Sequence, residues 1–117
     1  MQKDDGNALL DRLLRSDAVV FVTPVYYFGM SAQLKTVIDR FCARNGAITA
    51  KRMKAALIAT AWNDDDTVMK GIEVTFGIIF DYLDFVNVGS VLAKGSGTVG
   101  MMPLKYRRQA YEPGRSI

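Results

Sequence analysis

TPVYYFGMSAQLKTVIDRF, residues 23 to 41, follows the wholly apolar run AVVFV of residues 18 to 22. The run is too short for a helix and is apolar at every position, the pattern of a strand covered on both sides in a parallel sheet. Pro24 removes an amide donor and ends strand pairing, while Gly29 allows close backbone approach. Tyr26, Tyr27 and Phe28 offer flat faces between them. Ser31 then caps a helix in which Leu34, Val37, Ile38 and Phe41 recur at helical spacing. A strand, an aromatic loop and a helix start in that order place the loop in the crevice at the carboxyl end of a parallel sheet, where α/β proteins bind ligands.

The flanking chain repeats the alternation. Asp4 and Asp5 cap a helix that carries Leu9, Leu10, Leu13 and Leu14 and ends near Ser16 and Asp17. The helix opened by Ser31 ends by Gly46. Residues 54 to 60, KAALIAT, make a second buried strand, followed by Ala61, Trp62 and the polar run Asn63, Asp64, Asp65 and Asp66. A helix marked by Val68, Met69, Ile72, Phe76, Ile79, Phe80 and Leu83 comes next, with the aspartates at its positive end. Residues 85 to 93, FVNVGSVLA, give a third strand, and Pro103 opens a last helix ending near Gly114. Helix, strand, helix, strand, helix, strand, helix argues for a parallel α/β sheet with right-handed crossovers. Three strands leave two edges, and residues 18 to 22 carry no charge, proline or bulge to protect theirs.

Composition narrows the chemistry. The chain has 117 residues, 50% of them hydrophobic, enough for one domain with a real core. No apolar run approaches the roughly 18 residues of a membrane span. Gln2, Lys3, Asp4 and Asp5 do not make a secretory leader, so a cytoplasmic protein is expected. The lone cysteine, Cys42, reads as a packed thiol on a helix. There is no histidine, which removes the commonest general base and zinc ligand. Redox or transfer chemistry would come from a bound cofactor, and no side chain is assigned as catalytic. The net charge of +3, with Lys105, Arg107, Arg108 and Arg115 near the end, is a solvated face without the interleaved aromatics of a nucleic-acid reader.

The string TPVYYFGMSAQLKTVIDR resembles the loop and helix after the third strand in the NADPH-dependent FMN reductase family, and KAALIATAW and QAYEPGRSI continue the likeness more weakly. The resemblance implies a flavodoxin-like fold with helices on both faces of the sheet. It implies that Pro24, Val25, Tyr26, Tyr27, Phe28 and Gly29 contact FMN. Thr60, Ala61 and Trp62, at the end of the second strand, either touch the flavin edge or shape the substrate pocket; Trp62 as a plain surface packing residue is the alternative. The implied activity is hydride transfer from NADPH or NADH through FMN to a small-molecule acceptor such as a flavin or quinone. The alternative is a non-catalytic flavodoxin-like domain serving as an oligomerisation module.

Complete family members begin with a strand and a phosphate-binding loop that do not precede Met1 here. The chain therefore resembles the carboxyl-terminal portion only: a single partial domain, residues 1 to 117, truncated at the N-terminus, with strands 3, 4 and 5 of the flavodoxin order and a weakened hold on the FMN phosphate. A homo-oligomer, dimer or tetramer, joined through residues 18 to 22 and the aromatic loop, is expected, and neither a nucleic acid nor a membrane is an expected partner.

Two further motifs carry less. Gly95, Gly97 and Gly100 spell GxGxxG, yet the dinucleotide fingerprint needs an acidic residue about 20 positions on, and this chain ends 17 residues after Gly100. They read as a loop at the rim of the crevice. Asp64, Asp65 and Asp66 read as helix capping, with no metal site expected.

Overall fold

The computed structural model describes residues 4–97, 100 and 102–117. Its elements run α1 (Asp5–Leu14), β1 (Ala18–Pro24), α2 (Ala32–Asp39), a 3-10 turn (Arg40–Arg44), α3 (Asn45–Lys51), β2 (Lys54–Thr60), α4 (Lys70–Tyr82), β3 (Val86–Ala93) and α5 (Leu104–Ser116). The three strands form one parallel sheet in the order β1-β2-β3. Such a sheet needs a crossover between every pair of neighbours, which is what the alternating sequence supplies.

The expected helix starts hold at α1 and α2. Asp4 accepts from the Gly6 amide at 2.9 Å, and Ser31 Oγ accepts from the Leu34 amide at 3.3 Å. The helix opened by Ser31 does not end at Gly46. A 3-10 turn bends the chain and α3 continues to Lys51, burying Ile48, until Arg52 turns left-handed at φ 48°. One large apolar residue in seven, Ile48, gave no periodicity from which to read α3.

Cys42 is exposed on the 3-10 turn, not packed, because the bend rotates it away from the side that buries Phe41. The aspartates do not cap α4, whose first residue, Lys70, follows Met69 with no side-chain cap. They sit earlier in a turn, where Asp65 accepts from the Thr67 amide at 2.8 Å.

Helices lie on both faces of the sheet. Leu10, Phe21, Phe41, Ile48, Leu57, Ile72, Phe76, Phe80 and Phe85 form one buried cluster under α1, α2, α3 and α4. On the opposite face α5 covers β2 and β3, where Val91, Ala93 and Tyr106 are buried. Gly89, at φ 139°, lets α5 come this close: a Cβ there would lie 2.9 Å from Pro113 Cγ.

α5 does not cover β1, although its last turn and Val20 line one small groove. Val20 is 44% and Val22 65% exposed, so the first strand is covered on one face and bare on the other, contrary to its doubly apolar pattern. Its outer edge has no neighbouring strand among the described residues. Among these residues no helix is long and apolar enough to cross a membrane.

Candidate functional site

The parallel register sets Pro24, Thr60 and Ala93 side by side at the carboxyl edge of the sheet, so the three following loops leave from one rim. Thr23, the single hydroxyl of β1 and almost fully buried, closes the base of the first loop. Its Oγ1 accepts from the Ser31 amide at 3.0 Å and donates to the Pro24 carbonyl at 2.8 Å. The Val25 amide donates to the Thr60 carbonyl at 2.7 Å, extending the β1 to β2 pairing past Pro24.

Beyond Val25 the loop doubles back as a miniature hairpin. The Tyr26 amide donates to the Gly29 carbonyl at 3.0 Å and the Gly29 amide to the Tyr26 carbonyl at 3.1 Å. The two residues between them, Tyr27 and Phe28, both take positive φ, 48° and 69°. That is the backbone of a type I′ turn, normally built from Asn-Gly. Aromatic residues held left-handed cost of order 1–3 kcal/mol each, and such strain persists only where surrounding structure enforces it.

Gly71, in the first turn of α4, does the enforcing. A Cβ at this position would lie 2.7 Å from the Phe28 carbonyl oxygen, so only glycine lets α4 back onto the hairpin. The hairpin's side chains point outward: Tyr26 is 62%, Tyr27 100% and Phe28 57% exposed. Among the described residues no acceptor is paired with the amides of Tyr27 or Phe28. The tip therefore presents flat aromatic faces and two free backbone donors, which fits a planar heterocycle edged with carbonyls and ring nitrogens.

The second and third loops are zipped to each other. The Ser96 amide donates to the Ala61 carbonyl at 2.8 Å, and the Gly95 amide to the Asn63 carbonyl at 3.2 Å. Trp62 lies flat over Gly97, where a Cβ would fall 1.9 Å from Cε3 of the indole. Its outer face is open, at 70% exposure. Lys94 Nζ reaches Asp66 Oδ1 at 2.5 Å. That contact holds the Asp66 carboxyl below the usual aspartate range and the Lys94 ammonium above the usual lysine range. The lowered Asp66 favours the folded state above the ordinary aspartate value and loses this as pH falls; the raised Lys94 does so below the ordinary lysine value and loses it as pH rises. The latch is thus intact across the neutral range. Asp65, held low by the amide and hydroxyl of Thr67, serves the same turn.

The structure brings Pro24, Val25, Thr60 and Ala61 together at the strand ends, with Ala61 buried and acting only through its backbone. Trp62 and the hairpin aromatics share the rim, but no ring contact joins them among the described residues. Of the glycine motif, Gly95 takes φ 62° and Gly97 seats the indole; Thr98 and Val99 lie outside the described residues.

One of two grooves borders the rim. One of about 380 Å³ runs between α5 and the sheet, lined by Ile58, Thr60, Val91, Ala93, Met102 and Tyr106 among others. A larger one of about 580 Å³, between α1 and α2, includes no strand-end residue. Thr23 and Gly71 escaped the sequence reading. A hydroxyl inside an apolar strand was a signal for the first, whereas nothing local marked the second.

The family of NADPH-dependent FMN reductases matches residues 1–98, and the chain belongs to it. The match stops short of α5, and it does not bear out the narrower assignment to that family's carboxyl-terminal portion. YwqN of Bacillus subtilis, named as an NAD(P)H-dependent FMN-containing oxidoreductase, is 29% identical over 101 residues, 80% of this chain and 56% of its own length. The chain thus spans about half the length of this curated relative.

Among solved structures, the Trp repressor binding protein of Bacillus subtilis superposes with a TM-score of 0.77 at 24% identity, over 99% of this chain and 72% of its own. A flavodoxin, WrbA-like protein of Agrobacterium tumefaciens gives 0.65 at 16%, over 97% and 76%. The α/β fold is flavodoxin-like.

Proposed function

We propose that this chain supplies the ring-binding loop of an FMN-dependent NAD(P)H oxidoreductase of the flavin or quinone reductase type. The observation that carries the reading is the type I′ hairpin at the sheet's carboxyl edge, where two left-handed aromatics expose their faces and their amides. Pro24, Val25, Tyr26, Tyr27, Phe28 and Gly29 would hold the ring, with Thr60, Ala61 and Trp62 bordering it. FMN held there would supply hydride and electron transfer between NADPH or NADH and a small-molecule acceptor. The protein's part would be orientation: the backbone donors at the hairpin tip would serve the ring's acceptors, and the aromatic side chains would exclude water from one side. No histidine is present to act as acid or base.

The three strands correspond, in this reading, to the third, fourth and fifth of a five-stranded flavodoxin-like sheet in a cytoplasmic protein. The free edge of β1 and the bare Val20 and Val22 face support that placement, and the FMN phosphate would be held by elements docked there. The same bare face is the one observation favouring the second reading, a flavin-free packing module.

Fluorescence titration separates the two. The 117-residue chain is expected to quench FMN and riboflavin with dissociation constants within about threefold of each other, because ring contacts dominate and a threefold ratio is under 1 kcal/mol. Absence of quenching by either flavin at high micromolar concentration would overturn the proposal and leave the packing module.

A further inference from the structure

Among the described residues the buried set holds one polar side chain, Thr23, at 1% exposure. The inward positions of β1 are Val19, Phe21 and Thr23, so a hydroxyl stands where the core would take a third apolar group. Burying a hydroxyl is costly unless it is hydrogen-bonded. This one donates to the Pro24 carbonyl at 2.8 Å and accepts from the Ser31 amide at 3.0 Å, so both its bonds go to the first loop.

Backbone contacts tie that loop to its neighbours: the Val25 amide donates to the Thr60 carbonyl, and the Phe28 carbonyl rests against Gly71. Thr23 ties the loop to itself. It joins the loop's first carbonyl to the amide that closes it, eight positions away at Ser31. Ser31 in turn opens α2, its Oγ accepting from the Leu34 amide and its carbonyl from the Lys35 amide at 3.0 Å. One hydroxyl therefore fixes the end of β1 against the start of α2, and the hairpin of residues 26 to 29 is suspended between them.

We propose that Thr23 is a positioning residue for flavin binding, acting through the loop and touching no ligand itself. Its burial keeps it from the ring, and its hydroxyl holds the span across which the hairpin presents its aromatic faces and free amides. Valine would fill the same space and leave the Pro24 carbonyl and the Ser31 amide without this partner, so the loop ends would part toward water. The inference rests on the flavin reading above.

Amide exchange of the free chain and FMN titration test it together. In Thr23→Val, exchange at Tyr26 and Gly29, whose amides close the hairpin, should quicken by about tenfold or more, while the core amides of Leu57 and Phe80 stay within about threefold of native. The FMN dissociation constant should rise by about tenfold or more, the effect of one lost hydrogen-bond partner. Thr23→Ala, which also lacks the hydroxyl and takes less space, should repeat both results. Thr23→Ser keeps the hydroxyl and should return both readouts to within about threefold of native. A native FMN affinity in Thr23→Val would overturn the proposal and leave the flavin reading standing. Exchange that quickens equally at Leu57 and Phe80 would also overturn it, by marking a merely structural role, and so would a serine variant that behaves like the valine one. Absence of quenching by the native chain would instead remove the flavin reading, and the proposal with it.

Discussion

On one face of the sheet, Phe21 lies 5.4 to 6.4 Å from Phe41, Phe76, Phe80 and Phe85, and four helices close over the cluster. On the other face a single helix, α5, buries Val91, Ala93 and Tyr106 and leaves Val20 and Val22 to solvent. The first face has the density of a finished core. The second is half a core, and what it lacks lies over β1. Stability and recognition are therefore divided between the faces: one fixes the strands, and the other, with the rim, is left open for contacts. The strained hairpin depends on the finished face, because Gly71 belongs to α4 and α4 is held down by Phe76 and Phe80.

The largest expected effect tests that division directly. Phe76→Ala should cost about 3–5 kcal/mol in urea unfolding, as truncation of a packed aromatic leaves a cavity that the surrounding rings fill poorly. Tyr106→Ala, in the small cluster under α5, should cost clearly less, because its neighbours are few and its groove is already open. Equal costs would mean that the two faces are energetically alike.

Gly71→Ala comes next, at about 1–3 kcal/mol for an atom forced into a packed contact. The obstacle is the Phe28 backbone carbonyl at 2.7 Å, which cannot swing aside as a side chain would. The variant should also lose flavin quenching while keeping its far-UV circular dichroism. Retained quenching would show that the hairpin keeps its shape without α4 behind it.

Much of this architecture was legible in advance, for reasons that can be named. β2 was readable to the residue because KAALIAT is bounded by charge on one side and a polar turn on the other. The crossover order followed from periodicity alone, and the aromatic loop was placed by its neighbours. The bare half of β1 was not legible, since valine reads the same whether or not something covers it. α3 had too little periodicity to see. The exposure of Cys42 turned on a 3-10 bend, and the positive φ of Tyr27 and Phe28 could not be inferred from residues that ordinarily avoid it. Gly71 acts through a contact 43 positions from Phe28, a spacing no local pattern records.

The hairpin itself supplies a prediction of smaller size and opposite sign. Replacing Tyr27 and Phe28 by Asn and Gly, the residues that suit a type I′ turn, should stabilise the fold by about 1 kcal/mol in urea unfolding. Flavin quenching should be lost at the same time, since the aromatic faces are gone. A variant that is both more stable and still binds would show that the strain serves no ligand. A loss of stability would show that the exposed rings make contacts of their own.

Val22→Thr has the smallest expected effect and bears most directly on the bare face. Threonine keeps the β-branch that suits a strand, and the side chain at position 22 is 65% exposed, so only the apolar character of a solvent-facing methyl changes. If nothing covers β1 in the isolated chain, unfolding free energy should stay within about 0.5 kcal/mol of the native value, the range of ordinary surface changes. The same substitution should relieve self-association at high concentration if the face is sticky. A cost well above 1 kcal/mol, growing with protein concentration, would mean that Val22 is already buried against a second copy in solution. The contrast between a finished and an open face would then describe the single chain but not the protein at work.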